Sequence, residues 1–306
     1  MKKVALAIAL GLISSQSFAS EKLVNVCGGG SDGEYNEIAV GIVDQLNAVP
    51  SLAKYNIVAS IPQEEFEGEM RPEYRGSIAN LDGAADGACD IFVTQPDALN
   101  WYRSEYPLDS ADFKVVATAG TEYVLPFCSV SAGDDLKILE KIRGATVAVT
   151  EGSGDYAFFK NLGVEDEDYA NIKMVYANDA YGAAEMVADG EAHCSVAITS
   201  LDADSIIDIA NDFSSDLVFA DASDGDFDDA TYIAEDGEKK LYKKVGVSKD
   251  HVQGMIRGDS FGSQDVLTMQ RQIVINNAMY DRFTSKERRR LRRAVGTAIE
   301  TTASKY

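Results

Sequence analysis

An internal repeat restricts the possible folds of this chain more than any other feature. One copy opens with an apolar strand at residues 23–27 and enters the glycine-rich turn of "VCGGGSDGEY", residues 26–35. A helix follows with Ile38, Ile42, Val43 and Leu46 on one face. Then come a strand over residues 56–61, a helix in "SIANLDGAADG" and a strand in "CDIFVTQ". The second copy runs in the same order: a strand at 145–150, the turn of "VTEGSGDY", and a helix through Phe158, Phe159 and Leu162. It closes with a strand at 171–176, a helix in "AYGAAEMVADG" and a strand in "CSVAITS". Each copy is β-α-β-α-β, which implies a mainly parallel sheet with helices on both faces. Two copies in 306 residues imply two α/β lobes of similar plan.

The stretch between the copies, "FKVVATAGTEYVLPFCSV" (113–130), is β-rich and carries no Pro/Gly/Ser linker. It reads as a strand crossing from one lobe into the other. "QDVLTMQRQIVIN" (264–276) reads as the strand that returns. A last helix starts on the capping box Thr284–Glu287 and buries Leu291, Val295 and Ile299. The expected division is lobe 1 over 20–122 and 265–306 and lobe 2 over 123–264, with a cleft between them. The fold class is α/β: two parallel-type sheets with helices on both faces, joined by two crossing strands.

The glycine turns sit where such sheets bind ligands, beyond the carboxyl ends of the strands. Each leads into a helix N-terminus, whose free N–H groups and dipole favour an anion. Doubling the turn lets two lobes grip one guest from both sides. Two local patterns compete with this reading. Gly28-x-Gly30-x-x-Gly33 matches the dinucleotide fingerprint, but the nearest acid beyond the second strand is Glu64, past the strand end where the fingerprint wants one. Gly29-x-Ser31-x-Gly33 matches a nucleophile elbow, but about a dozen mature residues precede Ser31, leaving no strand to build the oxyanion hole. An exported serine hydrolase or nucleotide-dependent enzyme using the first turn is therefore the alternative. A ligand sensor signalling to a membrane protein is another. Purely structural glycines would account for either turn alone.

Composition narrows the partners. The formal net charge is −22, which repels phosphate backbones and argues against nucleic acid. Lys2 and Lys3, the apolar run from Val4 to Ile13 and the small residues of Ser17-Phe18-Ala19 form a signal peptide over 1–19, cleaved after Ala19. The mature protein is expected to be exported and periplasmic. The four cysteines give no zinc pattern. Cys128 and Cys194 fall on neighbouring antiparallel strands of lobe 2 and form the preferred disulfide. Cys27 and Cys89 are placed at opposite ends of adjacent strands and are not expected to pair. "DGDFDDATYIAE" (224–235) has acids at calcium-loop positions but lacks the required glycine, so it reads as a solvated acidic loop. "KERRRLRR" (286–293) reads as the solvated face of the last helix, with a docking patch as the sharper reading.

Four stretches resemble the TAXI family of solute receptors from tripartite ATP-independent periplasmic (TRAP) transporters. They are "GGGSDGEYNEIAVGIVDQLN", "GSIANLDGAADGACDIFVTQPDA", "LEKIRGATVAVTEGSGDY" and "VSKDHVQGMIRGDSFGSQDVLTMQRQIVIN". The resemblance implies a two-lobed periplasmic-binding-protein type II fold of the Venus-flytrap kind. It further implies capture of a small organic anion, such as glutamate or a dicarboxylate, for a TRAP-type membrane permease. No catalysis, cofactor or metal is implied. Carried over by motif, the ligand-binding residues are Gly30, Ser31, Tyr35, Ser77, Asn80, Gln95, Gly152, Ser153, Gly154 and Asp155. The sequence departs from the family pattern at Asp155, where Thr is usual, and in an insertion over 62–75. Asp155 beside an anion is unfavourable, so it caps its helix or meets an amino group. Arg71, Arg75, Arg103 and Arg257 are candidate carboxylate clamps.

Overall fold

A computed structural model describes residues 22–30, 33–61, 65–66, 69–70, 76–106, 112–130, 145–150, 152–165, 167–220, 230–234, 237–248, 250–252 and 263–306. The signal peptide, Ser31, Arg71, Arg75, Arg257 and the acids at 224–229 and 235 lie outside the described residues, as does most of the 62–75 insertion.

The first copy of the repeat folds as β1 (Leu23–Cys27), α1 (Glu34–Asn47), β2 (Asn56–Ser60), α2 (Ser77–Ala85) and the interior strand β5 (Ile91–Thr94). The two short strands β3 (Glu65–Phe66) and β4 (Glu69–Met70) pair as a hairpin inside the insertion. β5 (Ile91–Thr94) then leads through α3 (Pro96–Glu105) to the crossing strand β6 (Phe113–Ser129). The second copy supplies β7 (Thr146–Thr150), α4 (Gly154–Glu165), β8 (Lys173–Ala177), α5 (Ala180–Ala188) and β9 (Cys194–Thr199). After α6 (Asp204–Phe213) and β10 (Leu217–Phe219), a hairpin of β11 (Thr231–Ala234) and β12 (Gly237–Lys240) precedes β13 (Lys243–Ser248). The return strand β14 (Ser263–Asn276) and α7 (Ser285–Ala303) complete the chain.

β2-β1-β5 pair in parallel, as do β8-β7-β9. Between the two groups run the antiparallel crossing strands, so the hydrogen-bonded order is continuous: β2-β1-β5-β14-β6-β9-β7-β8. The first part of β6 pairs β14 and its last part pairs β9, with the changeover at Tyr123. β14 likewise pairs β13 early and β5 late. The crossing strands are therefore shared members of both sheets rather than separate connectors, and the fold is two-lobed.

Each lobe has its own core. In lobe 2, Phe127, Phe158, Phe159, Leu162 and Phe219 are buried together. In lobe 1, Ile38, Ile42 and Leu46 of α1 meet Leu291, Val295 and Ile299 of α7, on the opposite side of the sheet from Leu81, Phe92 and Leu99. Each fully buried Leu, Ile or Phe contributes roughly 2 kcal/mol. α7 begins with the expected capping box, Thr284 and Glu287 each bonding the other's backbone. Glu287 also takes the ammonium groups of Lys22 and Lys54, which hold its carboxyl well below the usual range. Arg288 pairs with Asp281, and Arg292 lies 4.6 Å from the centre of the Tyr280 ring. Lys286, Arg289, Arg290 and Arg293 line an open groove with the end of α1. Among the described residues no helix is long and apolar enough to cross a membrane.

The cysteines correct one expectation. Cys128 and Cys194 stand opposite each other in the β6–β9 register and are bonded, as expected. Cys27 and Cys89 are bonded too. Cys89 is not inside β5. It lies in the turn before it, and the chain bends at Asp90, where Asn25 exchanges hydrogen bonds with Ala88 and Asp90. That bend folds Cys89 back against the end of β1.

Candidate functional site

The two glycine turns belong to different lobes and line one cleft of about 680 Å³. Gly30, Tyr35, Ser77 and Gln95 face it from lobe 1, and Ser153, Gly154 and Asp155 from lobe 2. The lobes also touch directly. The N–H groups of Ile78 and Ala79, at the start of α2, donate to the carbonyl of Gly152 at 3.0 and 3.1 Å. Gly76 and Gly152 both have positive φ, 121° and 77°, and a side chain at Gly76 would press on the Ser153 backbone. Two glycines are thus required for the lobes to approach so closely.

Polar bonds lock the lobe 1 wall. The Tyr35 hydroxyl lies 3.1 Å from Ser77 Oγ and donates to Glu122 at 3.3 Å. Ser77 Oγ in turn accepts the Gln95 N–H. The Gln95 side chain lies near enough to Glu122 to favour its carboxylate form. Its carbonyl oxygen has no partner among the described residues, although Gln95 is only 2 % exposed. The amide lies flat against the Gly154 backbone, where any side chain would overlap it.

Behind this wall is a charge cluster that the sequence reading missed. Arg271 of β14 is 1 % exposed and pairs with Glu122 (3.3 Å) and Glu34. It sits opposite a β-bulge in β6, where Ala119 and Gly120 face the single residue Arg271. Gly120 has φ 78°, and a β-carbon there would come within 2.7 Å of the guanidinium. The bulge therefore makes room for the cation. A signal was present: Glu122 and Arg271 are opposite charges in the middle of the two strands read as crossings.

Not every expected contact reaches the cleft. Asn80 is fully buried beneath α2, donating to the Val93 carbonyl, and is not part of the lining. Gly152 serves the lobe contact rather than the lining. Arg103 is tied to the Phe113 carbonyl. Neither histidine lines the cleft, and His193 accepts the Thr146 N–H.

Asp155 settles its own ambiguity. Its carboxylate accepts N–H bonds from Thr150 at 2.8 Å, from Tyr156 and from its own residue. It therefore ties the end of β7 to the first turn of α4, taking the N–H groups of Asp155 and Tyr156 there. The α2 donors are occupied by Gly152. The first turn of α1 carries Glu34 and Glu37.

A second interlobe network lies between α3 and α4. Asp97 accepts the Tyr242 hydroxyl at 3.1 Å, Tyr242 accepts Asn161, and Asn161 accepts Asn100. Burial raises Asp97, Glu122 and Asp155 to about 7 each, partly offset by their hydrogen bonds and, for Glu122, by Arg271. An acid whose folded pKa lies above its unfolded value binds its proton more tightly when folded. Stability therefore falls as pH rises from about 4 toward about 7 and levels off above that. The cost is on the order of 1 kcal/mol per pH unit per group over that window. We expect the melting temperature of ligand-stripped protein at pH 5 to exceed that at pH 8 by several degrees. Asp97→Asn should shrink the difference. A flat or rising profile over this range would refute the assignment.

The fold and site define a two-lobed α/β architecture with two strands shared by the lobes and a cleft between them. No family model matches the chain, and no curated protein matches it. Among solved structures it is similar to a variant of ArgBP from T. maritima, at 10% identity and TM-score 0.47, covering 93% of this chain and 89% of that one. It is also similar to an ancestral arginine-binding protein, at 12% identity and TM-score 0.43, covering 92% of each chain. A third is a TRAP periplasmic solute binding protein from Xanthobacter autotrophicus PY2 with bound beta-D-galacturonate. Here identity is 10% and the TM-score 0.45, covering 92% of this chain and 80% of that one.

Proposed function

We propose that this chain is an extracytoplasmic solute-binding protein, not an enzyme, whose lobes close on one small organic solute and present it to a TRAP-type membrane permease. One observation carries the reading: glycine turns from two lobes line a single cleft over shared hinge strands. The TAXI subtype, periplasmic location and removal of residues 1–19 rest on the sequence motifs. We place the lobe boundary near Tyr123 in β6 and, later than the residue 265 expected from the sequence, between Thr268 and Gln272 in β14, where each strand changes partners. Tyr35, Ser77, Gln95, Ser153 and the Gly154 backbone form the solute contacts, joined by Gly30 and Ser31. The sequence led us to expect a small organic anion such as glutamate or a dicarboxylate. The described lining offers that anion no cation.

The test is mass spectrometry of solute released from protein purified without denaturation, followed by thermal-shift titration of the stripped protein. A binding protein is stabilised by intact solute, by an amount that grows with the logarithm of free solute above its Kd. Gly154→Val, which displaces the Gln95 amide, should fold and yet lose that stabilisation. Conversion of the solute by the protein would overturn the reading in favour of an enzyme.

A further inference from the structure

A basic pole lies at the end of lobe 1 remote from the cleft. Lys286, Arg289, Arg290 and Arg293 of α7 are exposed and line one groove of about 690 Å³ with the end of α1. None of the four has an ion-pair partner among the described residues, although the chain holds 50 acids to 28 lysines and arginines. The neighbouring acids are engaged elsewhere, Glu287 by Lys22 and Lys54 and Asp281 by Arg288.

This arrangement works against the helix that carries it. Cations three and four residues apart on one helix face repel each other, as Lys286 and Arg290 or Arg289 and Arg293 do. Lys286 stands in the first turn, where the helix dipole disfavours a cation, and the last turn, where one would be favoured, carries none. Local costs of this kind are kept where a function needs them, and here an external anion would relieve both.

Place and composition select the anion. α1 leaves the cleft at Glu34 and reaches the groove at Gln45, a rise of about 16 Å. That is about two Debye lengths at physiological ionic strength, so the cleft acids are screened from the groove. Three of the four cations are arginines, whose planar forks match phosphate oxygens. The lining has no aromatic residue, leucine, isoleucine or methionine, and so lacks the anchors on which a protein interface relies.

We propose that this basic pole docks the protein on an anionic bilayer, its arginines on the phosphates of the lipid headgroups and its cleft facing away from the membrane. The attachment is separate from delivery of solute to a permease, because it leaves the cleft open to solution.

Co-sedimentation of the mature protein with vesicles tests it. The vesicles are equal parts phosphatidylglycerol and phosphatidylcholine, against phosphatidylcholine alone. We expect binding to the first kind only, in about 0.1 M NaCl, and its loss in about 0.5 M NaCl. Each cation removed should weaken partitioning about fivefold, so Arg289→Gln with Arg290→Gln and Arg293→Gln should bind about a hundredfold more weakly. That variant should melt at or above the parent, since it relieves repulsion along α7. Removing three exposed lysines of lobe 2 instead, by Lys173→Gln, Lys240→Gln and Lys243→Gln, takes away the same charge and should leave binding nearly unchanged. Equal sedimentation with both vesicles, none with either, or equal losses in both triple variants overturns the proposal. Binding to immobilised poly-L-glutamate but to neither vesicle overturns it in favour of an acidic protein partner.

Discussion

Arg271→Met is expected to destabilise the folded protein by about 3–5 kcal/mol at pH 8, the scale for removing one partner of a buried ion pair. The substitution keeps the apolar volume of the stem but strands Glu122, which is 3 % exposed and keeps the Tyr35 hydroxyl as its hydrogen-bond donor among the described residues. The loss should be much smaller at pH 5. Without Arg271 the Glu122 carboxyl rises further above its present value of about 7 and is neutral there. The double variant Arg271→Met with Glu122→Gln should recover much of the loss, since neither charge then remains buried. Urea denaturation of the three variants at both pH values decides the matter. A cost below about 1 kcal/mol at pH 8 would show that the cluster contributes little to stability. The consequence reaches the cleft, because the hydroxyl of Tyr35, which lines it, is held by Glu122.

Removing the disulfides should have an effect of similar size. Cys27–Cys89 and Cys128–Cys194 join residues 62 and 66 apart in sequence. Loop-closure entropy assigns each about 4 kcal/mol. The four cysteines are at most 4 % exposed, so folded protein should show no free thiol until it is denatured and reduced. The paired replacement Cys27→Ala with Cys89→Ala should lower the melting temperature by about 10 °C. It should also weaken solute binding, because this bridge ties the strand end that enters the first glycine turn to the segment leading to Gln95. Four thiols titrating in oxidised protein, or a paired variant melting within about 2 °C of the parent, would refute the assignment.

Most of the secondary structure was legible in the sequence because it depends on local periodicity. The first strand, the apolar face of α1, the second-copy elements, both crossing strands and the Thr284 capping box all lie where patterning puts them, within two residues. The glycine turns were legible too, since a turn entering a helix needs residues of that kind. What failed was whatever depended on how distant segments meet. Asn80 lies within a matching motif, yet its side chain points under the helix to Val93. Cys89 looked like strand and is turn. Arg271 and Glu122 are far apart in sequence, and nothing local says that they meet.

By itself, then, the sequence determined that this chain forms two α/β lobes with paired glycine turns and two strands between them, because strand and helix periodicity are properties of neighbouring residues. Only the tertiary structure decided which backbone donors are already taken at the cleft. Helix N-termini attract anions as long as their N–H groups are free, and only the docking of Gly152 against Ile78 and Ala79 of α2, the folding back of Asp155 onto the end of β7 and the start of α4, and the burial of Arg271 between two acids set that pattern.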